Sequence, residues 1–475
     1  MEKRIEWVIA RTARAEGGRE APRCVVIQLY DAVNISLDDI KQLHETMNGP
    51  DITFCEYGQK EIQEPFMPFL GIVREYLKDM EPEELERVFD ECDLYGSHRL
   101  VFRSYLQNER AERGEDLLID ETQFERRRMM DAMYNLTVWC SRQRPFMLVL
   151  NGFQQVGVNS LQIVRRLMES EESHRIHMVI LYDVLQSPAP YVREAWDSWV
   201  ESIEVSGRIL EFEGLDKRSQ VEDAGEFAIS GADMEALIRR LYNLVGMLDL
   251  EQAEYYLELL NSRLNIERSD VPERYKLWIL ILYIYVMICL GNYSRALLLC
   301  ELLDGFANPE VEIRRYYLSA LAYIYSGQMG RALTCLERCE ALGEPESGES
   351  AFRIRLLALQ ARMGGWVGLN YPMRDMAVEE SMLRELRKRC FYNHLAYIWI
   401  YSRDNDVDRV IRSAEDARAL PQFFKGVEWA KRAGNDVLVR KAYFRNMIIA
   451  ATHGYYHVSN YYHFKSYRDV REEDI

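Results

Sequence analysis

Positive charge is what this chain has too little of. Its 59 lysines and arginines face 76 aspartates and glutamates, for a net charge of −17. Sequence-independent DNA binding rests on Lys and Arg neutralising phosphates, so nucleic acid is not an expected partner. Long apolar runs are absent too. The longest, LWILILYIYVMICL from Leu277 to Leu290, has 14 residues, short of the ~20 that span a bilayer. It reads as a helix buried on most sides, and no membrane partner is expected. The charged start MEKRIEWVIARTARAEGG lacks the apolar run of a signal peptide. The nine cysteines are scattered, odd in number and set mostly among apolar residues. They read as free buried thiols of a cytoplasmic protein rather than a disulfide framework. No G-x-S-x-G elbow, H-E-x-x-H or dinucleotide fingerprint occurs, so nothing argues for an enzyme.

What is present is core-forming material. Hydrophobic residues make up 48% of the chain and aromatics 11%. At ~150 residues per domain, 475 residues suggest two to four domains. The chain changes character near residue 216. Before it, apolar β-rich runs alternate with helical patterns. The runs are RCVVIQLY (Arg23 to Tyr30), ITFCEY (Ile52 to Tyr57), FMLVLNGF (Phe146 to Phe153), IHMVILYDV (Ile176 to Val184) and GRILEFEGL (Gly207 to Leu215). Continuous apolarity suits strands buried on both faces of a parallel sheet. The expected helices are Pro65 to Leu77, Asp120 to Arg142 and Ser160 to Met168, with a charged helical insert from Asp79 to Gly114. The expected organisation is therefore an α/β domain over 1–216 and an all-α domain over 217–475.

After 216 a repeat takes over. GMLDLEQAEYYLELL begins at Gly246, CLGNYSRALLLCELL at Cys289 and YSGQMGRALTCLERC at Tyr325. Each joins two apolar helices through a tight turn. The matching alanines, Ala253, Ala296 and Ala332, are 43 and 36 residues apart. Gly364 continues the series, and weaker copies follow, with Arg403 where a glycine would fall. Gly291 and Gly327 are expected to end a helix in a left-handed turn. The alanines are expected where paired helices touch. The pattern resembles tetratricopeptide repeats, whose period is ~34 residues. The resemblance implies a TPR-like solenoid that binds a protein or peptide on its concave surface. Candidate contact residues are Tyr283, Arg315, Tyr316 and Tyr323.

The first 216 residues resemble the nucleotide-binding domain of STAND-class P-loop ATPases, the signalling relatives of AAA proteins. The stretches that carry this are QEPFMPFLGIVREYL (Gln63 to Leu77), the segment from Glu121 to Leu167, and HRIHMVILYDV. The resemblance implies a P-loop-type parallel α/β sheet with a phosphate loop after the first strand. That loop needs G-x-x-x-x-G-K-[ST], with glycine amides and a lysine on the phosphates and a hydroxyl on Mg²⁺. Here Leu29 stands at the first glycine, Asn34 at the second and Ile35 at the lysine, leaving only Ser36. Ser36 also reads as a helix N-cap, with Asp39 three residues on; Asp38 and Asp39 suit a first turn and repel phosphate. At the end of the Walker B strand, Asn151 and Gly152 stand where the family has acids. A neutral amide is a weak Mg²⁺ partner and no base. The strand ILYDV lacks the arginine often seen after it.

Three further groupings are weaker. Cys335 and Cys339, one helical turn apart, read as core thiols. His453, His457 and His463 lie in an aromatic stretch that closes the solenoid or meets another protein. The arginines in ERRRMM (Glu125 to Met130) read as a solvated surface. The expectation is a non-catalytic signalling or scaffold protein: a pseudo-ATPase domain without cofactor, coupled to a protein-binding solenoid. The alternative is a regulatory switch that holds ATP or ADP with Mg²⁺ in an unorthodox loop and acts on an effector in trans.

Overall fold

A computed structural model describes residues 24–29, 51–57, 62–94, 96–107, 122–170, 175–184, 186–206, 209–212, 234–266, 272–306, 308–342, 348–362, 380–389, 391–401, 420–452 and 454–468. The strands are β1 (Cys24–Leu29), β2 (Asp51–Glu56), β3 (Phe146–Asn151), β4 (Ile176–Asp183) and β5 (Ile209–Phe212). The helices of the first half are α1 (Phe69–Leu77), α2 (Pro82–Glu91), α3 (Gly96–Leu106), α4 (Thr122–Gln143), α5 (Val158–Glu169), α6 (Arg193–Ser206), α7 (Met234–Gly246) and α8 (Leu250–Ile266). The rest are α9 (Glu273–Cys289), α10 (Tyr293–Leu302), α11 (Pro309–Tyr325), α12 (Met329–Ala341), α13 (Gly348–Arg362), α14 (Glu380–Lys388), α15 (Tyr392–Tyr401), α16 (Leu420–Arg432), α17 (Asp436–Thr452) and α18 (Tyr456–Arg468). Among the described residues no helix is long and apolar enough to cross a membrane.

All five expected apolar runs are strands of one sheet, in the order β2-β3-β4-β1-β5. Every pairing is parallel, with Cys24 opposite Met178, Val26 opposite Ile209, Asp51 opposite Phe146 and Phe146 opposite Ile176. β3 and β4 are buried nearly throughout, which their unbroken apolarity requires. Helix α5 turns Leu161, Ile163, Val164 and Leu167 inward. Phe153, just past β3, packs its ring against Tyr57, Trp196 and Trp199 at centroid distances of 5.6, 6.0 and 5.3 Å. These rings fill the core beside the carboxyl ends of the strands.

Contacts divide the chain into two compact units. The first takes in Met1–Leu94, Ser104–Ala111 and Arg126–Ile279; the second takes in Tyr95–Arg103, Glu112–Glu125 and Leu280–Ile475. The change in composition at 216 is thus not where contacts divide. Helices α7 and α8 fall in the first unit, and polar side chains of α7 reach the segment before α1. Arg240 Nη1 donates to the Ile62 carbonyl at 3.0 Å, and Asn243 Nδ2 donates to Glu64 Oε2 at 3.2 Å.

Beyond residue 216 the described residues are helical except for the short strand-free turns between helices. One turn design recurs. A residue with positive φ ends a helix, and the next N–H reaches the carbonyl five residues back. Gly291 (φ +77°) and Gly327 (φ +78°) do this as expected, with Asn292 N to Met287 O at 2.8 Å and Gln328 N to Tyr323 O at 2.7 Å. Between α7 and α8 the same place is held by Leu248 (φ +59°), with Asp249 N to Leu244 O at 2.9 Å. The matching alanines Ala253, Ala296 and Ala332 are fully buried. In the second unit Leu383, Leu395, Tyr397, Leu438 and Tyr462 share one apolar core. Gly364, Arg403 and Cys390 lie outside the described residues.

Candidate functional site

In a parallel α/β sheet, ligands bind outside the carboxyl ends of the strands, where connections part in opposite directions. Here that place is between β1 and β4. The chain leaves β1 for β2 at one edge and leaves β4 for β5 at the other. Leu29 ends β1 opposite Asp183, which ends β4; Asn151 ends β3 opposite Glu56. Asn34, Ile35, Ser36, Asp38 and Asp39 lie outside the described residues.

The end of β3 is occupied by neutral groups under tight constraint. The Asn151 carbonyl accepts from Tyr57 N at 2.9 Å. Gly152 has φ +67°, and a Cβ there would stand 2.7 Å from the Tyr57 carbonyl oxygen. No acidic side chain fits at 152 without moving the end of β2. The turn that follows is saturated by amides. Gln154 Oε1 accepts from Asp183 N at 3.4 Å, and Gln154 Nε2 donates to Gln186 Oε1 at 3.1 Å. Gln155 Nε2 donates to Ser187 O at 2.8 Å, while the Gln155 carbonyl accepts from Gln63 Nε2 at 2.7 Å and from Tyr191 Oη at 3.2 Å. Primary amides hold a loop in place but take no proton from water at neutral pH. A buried acid, Asp183, ends β4 at this edge. Nothing in the run ILYDV marks Asp183 as a site carboxylate, and no motif marks Gln154 or Gln155.

A second polar centre lies where α4, α5 and α8 meet in the first unit. Arg126 does not join a solvated face, as the run of arginines suggested. It turns inward, and Nε and Nη2 donate to Asn159 Oδ1 at 3.1 and 3.0 Å. Its Nη1 pairs with Glu251. The physical reason is register: in α4, Arg126 precedes the fully buried Met129, Ala132 and Met133, so one arginine of the run must face inward. Beside it Asp249 is fully buried, and neither carboxylate oxygen has a hydrogen bond. Gly157, which caps α5, makes room for this group. A Cβ there would meet Gln252 Oε1 at 2.6 Å and Asp249 Oδ2 at 3.3 Å. Burial raises the Asp249 carboxyl to about 7, against the pull of Arg126 and with help from Glu251. Tyr191 and Tyr256 also face it, and burial raises both of these phenols.

The four residues expected to touch a partner do not share one surface. Tyr283 is only 1% exposed, so its expected place on the surface is corrected. The reason is the all-round apolarity of α9, which leaves that helix little outer face. Arg295 lies over the Tyr283 ring at 5.4 Å. Arg315 stacks on Tyr316 at 4.4 Å and bridges to Asp304 at 2.8 Å. Tyr323 is half-buried, with Arg331 5.7 Å from its ring. Arg295 and Arg331 each follow a repeat glycine by four positions, but the rings they cover differ: Tyr283 precedes Gly291 by eight positions and Tyr323 precedes Gly327 by four. Leu298 and Leu302, one turn apart on α10, are exposed.

Cys339 is buried and its thiol faces the Ile313 carbonyl at 3.4 Å; burial pushes it up to about 12. Cys335 is half-buried. His457 and His463 are exposed on α18, whereas His453 lies outside the described residues. Among the described residues no three His, Cys, Asp or Glu side chains gather in a way that holds a metal ion. Comparison of the chain with protein-family models finds no match, and comparison with curated proteins finds none either.

Proposed function

We propose that this chain is a non-catalytic signalling or scaffold protein, in which a pseudo-ATPase unit of P-loop type is coupled to a TPR-like helical array that binds a protein or peptide. The observation that carries the reading is the end of β3. Asn151 is neutral, and Gly152 is pressed against the Tyr57 carbonyl, so the two places for Walker B acids hold none. Hydrolysis needs a metal-bound triphosphate and a group that orients or deprotonates water. Leu29, where the phosphate loop's first glycine would stand, brings a side chain and no charge. The parallel sheet and its parting point between β1 and β4 support descent from a nucleotide-binding scaffold. The repeated left-handed turns and buried alanines support stacked helix pairs, and such arrays present extended binding surfaces.

A second reading has one observation in its favour. Asp183 sits at the parting point, beside the end of β1, and a carboxylate is a ligand of the kind Mg²⁺ takes. In that reading the chain is a regulatory switch that binds ATP or ADP and acts on an effector in trans. Titration of the full chain with a fluorescent ATP analogue and Mg²⁺ separates the two. No saturable signal is expected of the scaffold. Saturation that Asp183→Asn abolishes would establish the switch.

A further inference from the structure

The turn between α7 and α8 shares its backbone design with the repeat turns but not its chemistry. Gly291 and Gly327 are exposed, and glycine enters the left-handed region without strain. Between α7 and α8 that place is held by Leu248, and Met247, Leu248, Asp249 and Leu250 are all fully buried. A leucine at positive φ is strained, so packing alone keeps this turn in shape.

Asp249 also departs from the role its position suits. The residue before a helix normally accepts from an amide of the first turn through its side chain. Asn435, which follows Gly434 in the equivalent turn before α17, does so: Leu438 N donates to its Oδ1 at 3.0 Å. Neither carboxylate oxygen of Asp249 accepts a hydrogen bond. The side chain lies against Gly157 at the start of α5, where a Cβ would stand 3.3 Å from Oδ2. The charged and titratable groups facing this carboxyl are Arg126 of α4, Tyr191 before α6, and Glu251 and Tyr256 of α8. From α5 comes Gly157, which carries no charge. Arg126 is already bonded to Glu251 and to Asn159. One cation thus serves two carboxylates. An ionised Asp249 leaves a negative charge over in a site closed to water, which is costly. A protonated Asp249 leaves none.

We propose that the α7–α8 turn is a proton-operated latch, docked on α5 while Asp249 holds a proton and loosened locally when Asp249 ionises, with the sheet still folded. Loosening gives the carboxylate to water and relieves the strain at Leu248. Burial raises the docked carboxyl to about 7, whereas in water it returns to about 3.8. The docked form therefore keeps a proton that the open form releases. Docking is strongest below about pH 4 and weakens as pH rises through 7.

Hydrogen exchange on the full chain, read by mass spectrometry at pH 6 and 8 and corrected for the intrinsic rate at each pH, tests this. Peptides that cover Met247 to Leu257 are expected to open about tenfold more often at pH 8 than at pH 6. Peptides from β3 and β4 are expected to keep their protection. Asp249→Asn keeps the shape of the side chain and is expected to remove the pH dependence at the turn. The comparison of wild type at the two pH values needs no variant, so it decides the matter even where Asp249→Asn folds poorly. Equal protection of the wild-type turn at both pH values overturns the proposal. So does an equal loss of protection in β3 and β4, which makes the opening global, or a pH dependence that persists in folded Asp249→Asn.

Discussion

A β-carbon at Gly152 stands too close to Tyr57: 2.7 Å from its carbonyl oxygen, at a backbone φ of +67°. Two penalties coincide there. An L-residue in the left-handed region costs ~1–2 kcal/mol, and the clash adds to it. Gly152→Asp is therefore expected to lower unfolding stability by more than about 2 kcal/mol. Asn151→Asp, one residue earlier and partly exposed, is expected to change it by less than about 1 kcal/mol. Urea denaturation measures both. Equal effects contradict the constraint at Gly152.

The repeat turns give a graded contrast. Gly291 also has positive φ, +77°, but a Cβ there meets nothing within 4 Å. Gly291→Ala is expected to cost ~1–2 kcal/mol, the backbone penalty alone. Ala332→Leu, at a buried helix–helix contact, is expected to cost ~1–3 kcal/mol through overpacking. If Gly291→Ala proves as costly as Gly152→Asp, steric contact is not what sets them apart.

Asp249 makes the stability of the first unit depend on pH. Its folded value of about 7 lies above the ordinary 3.8, so the native state holds a proton that the unfolded chain releases. Stability is then present in full below about pH 4 and is lost as pH rises toward 7. The separation corresponds to about 4 kcal/mol at most. Arg126, Glu251, Tyr191 and Tyr256 all face this carboxyl, and of these Arg126 opposes the rise. Asp249→Asn removes the ionisation. It is expected to be more stable than wild type at pH 8 and equal to it near pH 4. Denaturation curves at pH 5 and 8 measure this. A wild type that gains stability from pH 5 to 8 relative to Asp249→Asn reverses the sign.

Arg126 is the countercharge in that centre. Arg126→Met leaves Asp249 and Glu251 without it and strips Asn159 of its donors. A loss of about 3 kcal/mol is expected at pH 8. The loss is expected to be smaller at pH 5, where Asp249 keeps its proton. A pH-independent loss identifies packing rather than charge as the role of Arg126.

Much of the architecture is legible in the sequence, and the reasons differ by element. Continuous apolar runs found all five strands, because a parallel sheet buries both faces of each strand. Gly291 and Gly327 marked their turns, because glycine alone enters the left-handed region freely. That rule missed the turn at Leu248, where tertiary contacts hold a bulky residue at positive φ. Arg126 looked like a surface charge because composition does not say which of three adjacent arginines faces a core. Tyr283 looked like a contact residue because an all-apolar helix gives no periodicity from which to separate faces. The end of β3 was half legible. The lack of acids could be read directly, whereas the cause at Gly152 is the carbonyl of Tyr57, just past β2 and nearly a hundred residues away.

The most direct test of a dismantled phosphate site is the thermal unfolding of the full chain with and without Mg-ATP and Mg-ADP. A bound ligand at 100 times its Kd stabilises the native state by ~2.7 kcal/mol, a shift of several degrees that a melting curve resolves. The expected result is an unchanged midpoint at millimolar nucleotide. A clear upward shift, abolished when Mg²⁺ is chelated, contradicts it.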